Sequence, residues 1–300
     1  MPTLDDLNRQ FAIPGVATFE SARGGLTRLN VTAPAAEGHV YLHGAHVTHY
    51  QPAGGGPVLF LSQKSFFATG KAIRGGVPVI FPWFGPRNGD ATQMHGVVRT
   101  REWNVREIAR DGDGVRAVFT IASDDQTRAA WPHDFELIFI VTFGPTLAMQ
   151  LAVTNHSPKE IKFEEALHTY LAVGDVRTVA LDGLGSTPYV EKFVGPDRQV
   201  QADAILKLAG PTDRVYLPTR ATCTVDDKVN RRRITVAKEN SDVTVVWNPW
   251  SDKIVSFADF DAQEWTGFLC VETCNVWDRA VTLGPGQTHV MRSTINVKPD

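Results

Sequence analysis

Short runs of apolar and β-branched residues recur along this chain with a period of two, and sustained helical periodicity is almost absent. The clearest runs are 115–121, 135–143, 147–154, 233–237, 243–247 and 266–271, each rich in Val, Ile, Phe, Thr or Trp and read as a strand. Turn residues separate them: the Asp111 to Gly114 cluster, Gly144-Pro145, the Asn155 to Pro158 cluster, Asn248-Pro249 and the Gly284 to Gly286 cluster. The glycine-rich segment from Pro52 to Pro57 reads as a hairpin tip, and 4–11 as a short opening helix. Several strands carry polar residues on one side only, as expected where one face of a sheet meets another sheet. Strands at this density, without intervening amphipathic helices, predict an all-β fold: a large antiparallel β-sandwich with few short helices. No linker rich in Pro, Ser or charge divides residues 1–300 and no segment repeats, so the chain is expected to form a single domain.

Composition narrows the class. The apolar fraction of 43% and charged fraction of 21% belong to a globular chain with a sizeable core. A net charge of −3 gives no broad basic field for nucleic acid or an acidic membrane surface. No run approaches the roughly 18 apolar residues of a membrane span, and the N-terminus lacks the pattern of a signal peptide. Cys223, Cys270 and Cys274 are too few for a disulfide framework, which favours a reducing cytoplasm. Nothing demands assembly, so a monomer is the default expectation.

Four motifs carry candidate chemistry. In the first, Arg74 precedes Gly75-Gly76, which allow close backbone approach, and prolines at 78 and 82 stiffen the chain. An arginine held so suits forked recognition of a phosphate or carboxylate; alone, it reads equally as a solvated side chain beside a turn. In the second, Gln93-Met94-His95-Gly96 leads to Arg99, with His95 either chemical or a loop anchor. The third is Phe163 to Leu171, which read as a strand places Ala166, His168 and Tyr170 on one face and Leu167, Thr169 and Leu171 on the other. The imidazole there is an active-site wall or a structural histidine. The fourth sets Glu272 beside Cys270 and Cys274 on one face of an otherwise apolar run. A carboxylate in such a run is costly unless paired or working.

Metal binding is not expected. On an extended chain His43 and His49 lie roughly 20 Å apart and His46 faces away, while Cys270 and Cys274 are about 13 Å apart. Both spacings are too long for one zinc. Arg231 to Arg233 reads as a solvated hairpin end. Phosphate-loop, dinucleotide-fold and serine-hydrolase signatures do not occur in the sequence.

Taken in order, these motifs resemble the glucose-6-phosphate 1-epimerase (hexose-6-phosphate mutarotase) family within the aldose-1-epimerase-like, galactose-mutarotase-like superfamily. The resemblance runs through Gly44 to His49, Leu59 to Ser62, Ile73 to Pro78, His95 to Arg99, Trp131 to Phe135, Leu167 to Tyr170, Thr212 to Tyr216, Val246 to Trp250 and Cys270 to Glu272. It implies a β-supersandwich with a carbohydrate cleft on one sheet and an isomerase that interconverts the α and β anomers of a hexose 6-phosphate without a cofactor. It further implies His168 and Glu272 as the catalytic pair, Arg74 and Arg99 on the sugar phosphate, and Asp213 on a substrate hydroxyl, with His95 and Gln93 as further substrate-binding residues. One departure stands out: where the family places glutamine directly before the His-Gly pair, this chain has Met94, and Gln93 is displaced by one. Glu272 would take the proton of the C1 hydroxyl while His168 protonates the ring oxygen, near neutrality where an imidazole gives and retakes a proton readily. The rivals are an aldose 1-epimerase for unphosphorylated sugars and a non-catalytic carbohydrate-binding sandwich.

Overall fold

The computed structural model describes residues 2–300. Two eight-stranded antiparallel sheets face one another. The first runs, edge to edge, through Ala180–Asp182, Cys223–Asp227, Arg232–Glu239, Thr288–Pro299, Leu147–Asn155, Phe135–Phe143, Gly114–Ala122 and Asn104–Asp111. In the second, Arg198–Val200, Pro188–Glu191, Thr212–Tyr216, Val243–Asn248, Phe268–Asn275, Glu165–Leu167 and Val79–Ile80 follow in order, with Tyr170–Ala172 also paired to Phe268–Asn275. A four-stranded meander, Ala17–Ser21 to His46–Pro52, adds Phe19, Leu29, Val31 and Val40 to the same core. The expected all-β antiparallel architecture is therefore present, with helices confined to Leu4–Phe11, Asp125–Ala130 and Trp250–Ile254.

Alternation explains the first sheet. Along Phe135–Phe143, Phe135, Leu137, Phe139, Val141 and Phe143 are buried while the residues between them are half-buried. These side chains meet Leu167, Val246, Leu269 and Val271 of the second sheet in one continuous apolar cluster. Removing so many large side chains from water, at about 25 cal/mol per Å², supplies the main driving force.

The second sheet differs. All eight residues of Phe268–Asn275 and all six of Val243–Asn248 are buried. Leu269 and Val271 point into the inter-sheet core. Phe268, Cys270, Glu272 and Cys274 point the other way, beneath a layer of loops. That covered outer face holds the candidate site.

Three expectations change in detail. The 163–171 run is not one strand: it divides into Ile161–Phe163, Glu165–Leu167 and Tyr170–Ala172, with a break at His168-Thr169. There the amide of His168 donates to Pro78 and that of Val271 to Thr169. The two faces remain as expected, with Ala166 and Tyr170 outward and Leu167 and Leu171 in the core. The 266–271 run begins later, at Phe268, because Glu264–Gly267 closes into a 3₁₀ turn, and it continues to Asn275. The 52–57 segment turns back so that Val58 donates to Tyr50, but no full return strand forms.

Candidate active site

The outer face of the second sheet floors a cleft of about 440 Å³, within the range of small-molecule sites. Register dictates what reaches it. Glu272 is paired with Val245, while Cys270 lies between Trp247 and Tyr170. Asp213 is paired with Trp247 on the next strand. On the other flank the break after Leu167 brings His168 over Glu272, with Nε2 3.4 Å from Glu272 Oε1.

His168 is held by rings. Its imidazole stacks on Tyr170 with centroids 4.8 Å apart and planes 7° from parallel, and it meets His95 and Trp247 edge-on. Burial, followed by Arg74 and Arg99, lowers its pKa well below the usual imidazole value. Burial and then Asp213 push Glu272 well above the usual carboxylate range, with Lys192 opposing. Burial thus disfavours the charged form of each group. His168 Nδ1 and Glu272 Oε2 are buried without hydrogen-bond partners, a costly arrangement unless a ligand supplies them.

Arg74 and Arg99 both line the cleft, under different constraints. The Gly75-Gly76 pair explains how Arg74 gets there. Gly75 has φ 107° and Gly76 φ 61°, and a Cβ at either would collide with the backbone at Phe60 or Val47. Two histidines of the apparent metal cluster hold this loop: His43 Nε2 and His46 Nε2 donate to the carbonyls of Lys71 and Gly75, each at 2.7 Å. Burial keeps His46 neutral, with its pKa lowered to about 3. The Arg74 guanidinium then donates through Nε to Asp259 at 3.1 Å and through Nη1 to the Tyr170 hydroxyl at 3.1 Å, over the rings of Phe257 and Phe260. Arg99 has no carboxylate partner. It donates through Nη2 to the Met94 carbonyl at 2.9 Å, and its buried Nε bonds to nothing. Burial and the neighbouring Arg74 lower its pKa to about 10, so it remains a cation at neutral pH.

Asp213 reaches the cleft paired to Lys192, with Nζ 3.0 Å from Oδ2. His95 lines it too, as a loop anchor: with φ 62°, its Nδ1 accepts from the Gly85 amide at 3.1 Å. Gln93 is not brought to this cleft. Its side-chain amide donates to Asp90 at 3.0 Å and faces a separate groove beside Trp83 and Arg101, while Met94 takes the place along the cleft wall. The physical reason is the strand Asp90–Met94, whose alternation sends positions 93 and 94 to opposite sides.

Lys192 and Asp259 were not among the sequence candidates. Lys192 follows the strand Pro188–Glu191 and Asp259 sits in a loop after Trp250–Ile254, with no local pattern to mark either. The Asp259 loop is fastened from afar, Ser62 donating to the Asp259 carbonyl at 2.8 Å and to Glu264 at 2.7 Å. His168, Cys270 and Glu272 bring donor atoms within 4.8 Å of one another. Burial and then Glu272 hold the Cys270 thiol well above its ordinary pKa, so Cys270 is a neutral packing group beneath the pair.

Comparison with known proteins places this arrangement. The aldose 1-epimerase family model matches residues 28–296. An Escherichia coli protein provisionally named glucose-6-phosphate 1-epimerase is 35% identical over 272 residues, covering 89% of this chain and 91% of its own. A Cenchrus ciliaris protein of the same provisional name is 30% identical, covering 87% and 81%. The crystal structure of a Salmonella typhimurium protein, provisionally a mutarotase, superposes with a TM-score of 0.90 at 31% identity, over 97% of this chain and 96% of that one.

Proposed function

We infer that this chain, which belongs to the aldose 1-epimerase family, is a hexose-6-phosphate mutarotase, with glucose 6-phosphate as the substrate its relatives' names point to. The observation that carries the substrate class is the half-buried Arg99, a cation whose buried Nε is unpartnered, beside Arg74 and in the same cleft as the His168–Glu272 pair. A phosphate offers the acceptors that such guanidinium groups lack.

Anomerisation needs a proton removed from the C1 hydroxyl and one delivered to the ring oxygen, so that the hemiacetal opens, the C1–C2 bond rotates and the ring recloses on the other face. We assign Glu272 as base and His168 as acid, with the roles exchanged on closure. Glu272 Oε2, buried and unpartnered, is the acceptor for the hydroxyl proton. Asp213, held by Lys192, accepts a sugar hydroxyl. Trp247 and Phe257 give the sugar an apolar wall and exclude water. Neither proton transfer needs a cofactor. The cleft draws on positions from 74 to 272, which supports reading all 300 residues as one domain. No described helix is long and apolar enough to cross a membrane, and three buried free cysteines fit a reducing cytoplasm. A small phosphorylated sugar is the partner this site serves, and a monomer is the assembly this reading assumes.

The test is saturation-transfer NMR on equilibrated glucose 6-phosphate, with glucose and galactose alongside. Exchange accelerated for the phosphorylated sugar alone supports the assignment. Faster exchange for neutral sugars alone moves the protein to a general aldose epimerase, and no acceleration for any leaves a binding protein.

A further inference from the structure

The cleft walls carry three cations, Arg74, Arg99 and Lys192, and three carboxyl groups, Asp213, Asp259 and Glu272. They are not evenly arranged. Arg74 reaches the histidine side of the catalytic pair through Tyr170: its guanidinium bonds to the Tyr170 hydroxyl, and the Tyr170 ring stacks on His168. Arg99 shares that end, bonded to the backbone beside His95, whose ring abuts His168. Lys192 and Asp213 neutralise one another at 3.0 Å on the side of Glu272. Cys270 and Tyr170, packed below, are neutral at physiological pH because burial raises both. Arg74, which is paired with Asp259, and Arg99 thus stand on the side of His168, where Lys192 adds a smaller effect.

Resting on the phosphohexose reading above, we propose that an oxyanion bound at Arg74 and Arg99 is a switch as well as a handle: it moves the proton of the catalytic pair from Glu272 to His168 and so creates the working acid and base. The step is balanced within the pair. The O–H bond at Glu272 Oε1 breaks and an N–H bond forms at His168 Nε2, 3.4 Å away. Neutral His168 carries its own proton on Nδ1, so Glu272 becomes a carboxylate, His168 an imidazolium, and the pair's two protons are conserved.

The physical cause is charge compensation. Arg74 and Arg99, after burial, disfavour a cationic His168, and Lys192 adds to them. A phosphate dianion cancels their field where it is felt most, and the low dielectric of the buried site magnifies the change. Glu272 lies on the side of the Lys192–Asp213 pair, and its Oε2 bonds to neither arginine, so the anion affects it less. The asymmetry directs the proton toward the histidine. An unphosphorylated sugar then enters against an unarmed pair and is turned over slowly for want of chemistry, not only for want of affinity.

The switch is separable from covalent attachment, which makes it testable with the full chain and a substrate in two pieces. Glucose anomer exchange is followed by NMR at neutral pH while inorganic phosphite or phosphate is titrated, and the rate in Glu272→Gln protein is subtracted to remove solution catalysis. The His168 ring resonances, assigned by their loss in His168→Asn, are followed in the same titration. Saturable acceleration of glucose exchange by at least about tenfold, one pKa unit in proton occupancy, together with movement of His168 to its imidazolium shifts, is the expected result. Arg99→Ala should abolish both responses. If the oxyanion inhibits glucose 6-phosphate turnover competitively yet leaves glucose exchange slow and His168 neutral, the switch is overturned and the phosphate reading stands. If neither the oxyanion nor glucose 6-phosphate is recognised, the phosphate reading fails and the switch fails with it.

Discussion

Phe135–Phe143 and Phe268–Asn275 are strands of similar length in the two facing sheets, and they are built on opposite rules. In the first, every second residue enters the core and the rest approach solvent, so its polar positions Glu136 and Thr142 are unremarkable. In the second, both faces are buried, and a single charged residue, Glu272, sits 1% exposed among Leu269, Cys270, Val271 and Cys274. A carboxylate on the half-solvated strand costs almost nothing. On the doubly covered strand it raises its own pKa and leaves an oxygen unpaired. The first strand holds the molecule together; the second stores unsatisfied polarity where a sugar can use it.

Substituting the same residue type on each strand breaks that contrast most sharply. Glu272→Gln should lower kcat for the phosphorylated sugar by about 10²–10⁴-fold, the range for losing a general base, with little change in the thermal midpoint. Glu136→Gln should leave both kcat and stability within experimental scatter, about 0.5 kcal/mol. Retention of most activity in Glu272→Gln would remove it from the role of base.

Phe139→Ala probes the first strand's own task. It should cost about 3–5 kcal/mol in urea unfolding while the folded fraction keeps its kcat. A selective loss of kcat at unchanged stability would mean that the two sheets are not divided in function as described.

The next effect lies at the phosphate end. Arg99→Ala should raise KM for glucose 6-phosphate roughly 10–100-fold, as expected for losing hydrogen bonds to a charged group of about 1.5–3 kcal/mol. Arg74→Ala should be at least as severe, because it leaves Asp259 facing the substrate anion, and adding Asp259→Asn should recover part of the loss. Steady-state KM values for the three variants decide the order; no recovery in the double variant would remove Asp259 from the phosphate's surroundings.

The smallest effect concerns a second buried carboxylate, Glu165, which lies on the second sheet but outside the cleft. His289 Nε2 stands 2.9 Å from its Oε1. Burial opposes the charge on His289, yet the hydrogen bond and charge of Glu165 raise its pKa above 6.5. A raised folded pKa contributes stability that is complete below the unfolded value and lost as pH rises through the folded one. The thermal midpoint should therefore fall as pH rises above 6.5, by an amount on the order of 2 °C per kcal/mol. His289→Gln should flatten that slope without changing the pH profile of turnover; an unchanged slope would mean that the pair carries no linkage.

Much of this was open to reading along the chain. Local alternation marks Phe135–Phe143 and Leu147–Asn155 because one side of each faces outward, and the odd carboxylate marks Glu272 because burial penalises it. Arg74 is marked by glycines whose positive φ the close approach to Phe60 and Val47 requires. Gln93 was misplaced by one residue's alternation, and Lys192 and Asp259 left no trace because nothing in their neighbours differs from any exposed loop.

The sequence by itself determined the strand-rich class, the order of the motifs and the residue types able to move a proton, since these depend on local periodicity and on the intrinsic chemistry of side chains. Only the tertiary structure decided which of those residues meet. The break at His168-Thr169 carries an imidazole over a glutamate 104 positions away (272 − 168), and Asp259 rather than solvent occupies one arginine while the other bonds to a backbone carbonyl and keeps its Nε unpartnered. Pairing of that kind arises from register between distant strands and from loops fastened by remote hydrogen bonds, and neither leaves a period in the chain to read.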